Sequence, residues 1–270
     1  MNSDKNDILF SLSSFLFEDN YSSQSVSFEK FCSIAHWAGY KGVELRETQV
    51  SVNTPAGKRK ELAMIMHDND LVLTCLTARN LPVVDTERAD AFLRHLDLCQ
   101  EMGCSLLKIS GDTFWLKCAA EKAKKYRIKL ATNNHIGSML ETIDGAKQYF
   151  SEIADEDFGL LYDSFHLYAS GQDYVRGIDV LFERICNVLF HSIRPAKKNE
   201  HPIFEKNGTD WINALPEESG VQNWRGIFQR LKQLKYKGRI TVIESDWPSE
   251  KREFMANHCS SFIIKLWNSV

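Results

Sequence analysis

The chain has 270 residues, 43% of them hydrophobic, and a formal net charge of -3 from 33 basic and 36 acidic side chains. That length holds one large domain or two small ones, and the near-balanced charge excludes the broad basic face that nucleic-acid binders present. Seven cysteines, an odd number with no Cys-x-x-Cys pair, exclude a disulfide framework or thiolate zinc site and fit buried free thiols in a reducing compartment. The opening MNSDKNDILF lacks a basic stretch followed by a long apolar one, and no apolar run reaches the roughly 20 residues of a membrane span. A soluble cytoplasmic protein with no membrane or nucleic-acid partner is expected.

Short β-rich runs alternate with longer helical patterns. The runs are ILFSLSSF from Ile8, GVELRE from Gly42, LVLTCLTAR from Leu71, SLLKISGD from Ser105, IKLATNNH from Ile128, FGLLYDSFH from Phe158, VLFHSIRP from Val188 and RITVIESDWP from Arg239. Their spacing of roughly 30 residues is that of one strand-helix unit. Eight such units predict an α/β fold of one closed parallel (β/α)8 barrel over residues 1–270, because crossover helices must cover every strand from outside.

The intervening segments carry helical periodicity. SFEKFCSIAHWAGY places Phe28, Phe31, Ile34, Ala35 and Ala38 on one face and ends at Gly39. ERADAFLRHLDLCQEMG ends at Gly103 in the same way, and GVQNWRGIFQRLKQLKYKG at Gly238, each glycine predicting a left-handed cap. One connection is longer: residues 196–219 contain Gly208, Trp211, Leu215 and Pro216, and their aromatic content predicts a lid loop.

Polar residues gather at the ends of the later runs: Ser110 to Asp112, Asn133 to His135, Asp163 and His166, His191 and Arg194, Glu244 to Asp246. In a closed barrel these ends share one mouth, where barrel enzymes place their active sites. Asp163, His191 and Glu244 can jointly bind a divalent cation; without one, two neighbouring buried carboxylates would raise each other's pKa. Glu44 and Arg46 alternate on their strand, which predicts an inward ion pair. Lys108 interrupts an apolar strand, where a cation is costly unless paired or catalytic. Arg194, Lys197 and Lys198 come after the seventh run, where barrels often hold an anionic substrate group.

The strings AHWAGYKGVELRE, LATNNHIG, LLYDSFHL, LFHSIRP and TVIESDWP resemble the xylose-isomerase-like barrel superfamily of sugar isomerases, epimerases and endonuclease IV. The resemblance implies that Asp163, His191 and Glu244 match three of four metal ligands for one Mn, Mg, Co or Zn ion. Asn133 stands where the fourth, a glutamate, is usual. An amide oxygen can ligate, but it carries no charge and is no general base; His135, Glu44 and Asp112 are the substitutes for that work. His166 matches a histidine that binds substrate beside the metal.

These residues imply a metal-assisted isomerase or epimerase acting on a small carbohydrate-like carbonyl compound through an enediolate. Glu244 would move the proton with His166 beside it, while Glu44, Arg46, Lys108, His135 and Arg194 would hold substrate. A dehydratase on the same scaffold and a sugar-binding barrel without turnover are the alternatives that Asn133 keeps open. A nuclease would need more ligands and a basic surface. Self-association is left open.

Overall fold

Eight parallel strands close on themselves in the computed structural model, which describes residues 8–79, 81 and 85–270. The barrel strands are Leu9–Ser13, Gly42–Leu45, Val72–Thr77, Leu106–Lys108, Lys129–Asn133, Gly159–Asp163, Ile185–Phe190 and Arg239–Val242. Each lies within or overlaps the run expected for it. Closure is set by the first strand, which pairs with the second through Ser11 and Gly42 and with the eighth through Leu9 and Arg239.

Strand alternation divides the apolar residues between two cores. Cys75, Leu106, Ala131, Leu161, Leu189 and Ile243 pack together inside the barrel. Their neighbours Leu107, Leu130, Leu160, Val188 and Val242 face outward into the larger core beneath the helices. Full burial of one such side chain is worth about 1.5–3 kcal/mol. Packing is close at Gly42, where a Cβ would collide with Thr74 and Ser11.

The helices cover the barrel as the periodicity requires. Phe28–Trp37 begins at Ser27, whose hydroxyl accepts the Lys30 N–H at 3.2 Å. Gly39 and Gly103 have φ of +90° and +69°, the expected left-handed turns. The third turn differs from expectation. Helix Trp224–Gln233 is capped at Leu234, and Lys235, not Gly238, takes the positive φ of 56°. This early stop buries Tyr236, whose hydroxyl accepts the Arg239 N–H at 3.1 Å and donates to the Arg239 carbonyl at 3.0 Å.

Within residues 196–219, expected as a lid loop, Phe204–Lys206 and Thr209–Asn213 form a hairpin. It pairs with Ile193–Pro195 in a three-stranded antiparallel sheet, with Thr209–Asn213 in the middle. Asn207 and Gly208, at φ of 54° and 74°, make its hairpin turn. Trp211 is buried against Phe165, Ala169 and Ile193. Arg194 clamps the outer end: its guanidinium donates to Glu200 at 2.6 and 2.7 Å and to Glu218 at 2.8 Å.

Among the described residues, no helix is long and apolar enough to cross a membrane. All seven cysteines are free, five of them buried.

Candidate active site

A cavity of about 800 Å³ opens at the C-terminal ends of the strands. Its size suits a small-molecule site. Its walls divide by chemistry. Strands two to four and their ends contribute Arg46, Arg79 and Lys108, whereas strands five to seven and their ends contribute Asn133, His135, Asp163, His166 and His191.

Asp163 ends the sixth strand and opens the short helix Ser164–Ala169, accepting the Phe165 N–H at 3.0 Å. Asn134 fixes its backbone from the fifth strand: the amide oxygen accepts the Asp163 N–H at 2.8 Å and the amide nitrogen donates to its carbonyl at 2.7 Å. Burial pushes the Asp163 carboxyl up to about 7, against the opposing pull of the Lys108 charge and the Phe165 N–H. His166, expected at a strand end, sits instead on the first turn of that helix. Its Nε2 lies 3.6 Å from Asp163 Oδ2, and its ring centroid 4.1 Å from that of His135. Burial, reinforced by the His135, His191 and Lys108 charges, holds His166 well below its ordinary pKa, so the ring is neutral.

His191 stacks on Phe165 with centroids 4.5 Å apart. Burial pushes it down to about 4, and its Nε2–H donates to Asn213 Oδ1 at 3.1 Å. Asn213 also donates to the Ser245 carbonyl at 2.6 Å, so the small sheet is tied to strands seven and eight across the mouth.

The other residues expected at the site lie off the cavity wall or pair differently, although Glu244 Oε2 stays 3.9 Å from His191 Nε2. Glu244 has no solvent exposure and is absent from the cavity wall; Ile243, Ser245 and Asp246 line it instead. One Glu244 oxygen accepts the Ser192 N–H and the other the Trp247 indole N–H, both at 2.9 Å. Burial pushes Glu244 up to about 8 despite these two donors. Glu44 is likewise fully enclosed, with Ser13 Oγ donating to it at 3.4 Å. The expected pair of Glu44 with Arg46 does not form: Arg46 pairs with Glu18 at 2.8 Å and lies over Phe15 at 4.1 Å. Arg194 is engaged by Glu200 and Glu218 and does not line the cavity. Asp112 caps helix Thr113–Lys124 and pairs with Arg88, also off the cavity.

The expected ligand set does not fit a divalent ion as arranged. Asn133 brings no charge, each Glu244 oxygen already accepts one N–H, and His191 Nε2 carries the hydrogen given to Asn213, leaving only Nδ1 of that ring to ligate. Among the described residues, no three of His, Cys, Asp and Glu converge to hold a metal.

Sequence reasoning missed Arg79 and Asn213, and it placed Asn134 at the mouth without a role. Arg79 comes after the third strand, lies over Tyr21 at 4.4 Å and forms no ion pair among the described residues. Its signal was a cation closing an apolar run. Asn134 and Asn213 act through partners distant in sequence, which no local pattern marks.

A family model described as "Xylose isomerase-like TIM barrel" matches residues 32–262. Among curated relatives, an inosose dehydratase of Lactiplantibacillus plantarum is 26% identical over 134 residues, covering 48% of this chain and 44% of that protein. The match thus spans less than half of that relative. An inosose dehydratase of Lacticaseibacillus casei is 20% identical, with 86% of each chain covered. Among solved structures, the probable 3-DHS dehydratase AsbF of Bacillus anthracis has a TM-score of 0.75 at 15% identity, covering 95% of this chain and 99% of its own. A D-psicose 3-epimerase has 0.74 at 12%, covering 96% and 99%. The IOLI protein with a bound zinc atom has 0.74 at 13%, covering 97% and 99%. At these identities the solved structures establish the fold alone.

Proposed function

Because the chain belongs to the xylose isomerase-like TIM barrel family, we propose that it is an enzyme that dehydrates a small polyhydroxylated ketone, an inosose-like compound, in the strand-end cavity. The observation that carries this reading is the division of the cavity wall: proton-carrying groups stand on one side and cations on the other. An epimerase needs proton transfer on both faces of its substrate. An elimination needs a base on one side and a charge to stabilise the enolate. The sequence relatives named dehydratases support the same choice, and the isomerase and epimerase readings rank behind it. The seven free cysteines suit a reducing cytoplasm.

In this reading His166, neutral through burial, takes the proton from the carbon beside the carbonyl, and Asp163 shares the charge that results. The electron pair of that C–H bond forms the enolate. As the enolate collapses, the C–O bond to the β-hydroxyl breaks and a C=C bond forms. The hydroxide leaves with the proton that His166 returns, so one water is lost and nothing is oxidised or reduced. Asn134 and the Phe165 N–H hold Asp163 in place. Two of the solved neighbours differ in reaction type, one a dehydratase and one an epimerase. Turnover of an inosose by His166→Gln and Asp163→Asn proteins tests the roles. Each should fall about 100-fold; wild-type rates in both would remove these residues from the mechanism.

A further inference from the structure

We infer that Lys108 does the work of a divalent cation in this mouth, its ammonium polarising the substrate carbonyl, so that the chain works without a bound metal. The inference rests on the cavity being catalytic, as proposed above. Lys108 ends the fourth strand, in register with Thr77 on one side and Ala131 on the other, and it lines the cavity. It forms no ion pair among the described residues. A half-buried ammonium without a bonded carboxylate is costly in a structural role and suits one that meets substrate.

The donors that would hold an ion are committed elsewhere. Ser192 and Trp247 each donate one N–H to an oxygen of Glu244, the Nε2–H of His191 goes to Asn213 and leaves only Nδ1 of that ring to ligate, and Asn133 is neutral. Charge balance agrees. Glu44 and Glu244 are wholly enclosed, Glu18 is paired with Arg46, and Asp246 is exposed, which leaves Asp163 as the one buried carboxylate on the cavity wall among the described residues. One ammonium matches one carboxylate, and a dication would add to the positive charge that Arg79 already brings to the wall. Lysine also has the chemistry required: three rotatable N–H donors on a flexible stem can track a carbonyl oxygen as it becomes an enolate.

The test uses the full chain washed with chelator and titrated with Mn2+, the bound ion being read by electron paramagnetic resonance. No saturable site should appear below about 1 mM. One ion held per chain at micromolar affinity would overturn the inference. With a polyhydroxylated cyclohexanone, turnover should survive chelation and fall about 100-fold in Lys108→Met, with Lys108→Arg regaining part of it. Turnover that needs added ion, or that Lys108→Met leaves intact, would also overturn it. The binding arm needs no turnover. A chain inert toward the ketone yet without a Mn2+ site counts against the dehydratase reading while supporting the absence of a metal centre.

Discussion

His191 donates its Nε2–H to Asn213 Oδ1 across 3.1 Å, joining the seventh barrel strand to the sheet that grows out of it. The same asparagine reaches the Ser245 carbonyl after the eighth strand. One side chain of the outer sheet therefore sets the orientation of a ring on the cavity wall. Asn213→Leu leaves that buried N–H without an acceptor, a loss of about 1–3 kcal/mol. Urea unfolding should show a stability loss in this range, and turnover should fall with it. Unchanged stability would mean that the ring finds another partner.

The Arg194 clamp makes a different prediction. Arg194 and the Lys197 N–H hold the Glu200 carboxyl down to about 2. A depressed carboxylate pKa stabilises the fold above its unfolded value of about 4.3, and that contribution is lost as pH falls through the folded value. The clamp should therefore hold at neutral pH and release between about pH 4 and pH 2. Trp211, buried in the same sheet, reports this by fluorescence. Arg194→Met should bring the release to neutral pH and expose residues 196–209 to proteolysis.

Glu244 predicts the opposite slope. Its folded pKa is raised to about 8 by burial. The stability it contributes is fully present below about 4.3 and is lost as pH rises through about 8. Chemical unfolding should show stability declining from about pH 4.3 to about pH 8 and levelling off above it, and Glu244→Gln should flatten that decline. An equal decline in the variant would assign the effect to other groups.

The close approach at Gly42 predicts a packing defect. In Gly42→Ala the new methyl group meets Thr74 and Ser11 inside the barrel. Overpacking of this kind costs about 1–3 kcal/mol, read as a lowered Tm. Gly57→Ala, where nothing lies within 4 Å, is the control and should leave Tm unchanged or raised.

The barrel was legible because each strand carries its own apolar run and each helix its own periodicity, so local sequence specifies local structure eight times over. The small outer sheet was not, although Asn207 and Gly208 form the dipeptide that favours a tight hairpin turn. Its strands are short and mixed in polarity, and they gain their burial from Phe165 and Ala169, which lie in another unit. Asp163, His166, Lys108 and His135 were visible as polar residues at strand ends, and all line the cavity. Glu244 was equally visible, but inward and outward positions differ by one residue at a strand end, and Ile243 and Ser245 take the cavity positions on either side of it. Glu44 stops short of the mouth for a related reason: it lies deeper in the barrel, level with Cys75.

The most direct test of the central claim is the mass of the product formed when the chelator-washed protein is incubated with a polyhydroxylated cyclohexanone. Dehydration in the cavity predicts a product lighter than the substrate by one water, formed at a rate that added Mn2+ does not change. A new isomer of unchanged mass, or conversion that begins only when the ion is supplied, would contradict it.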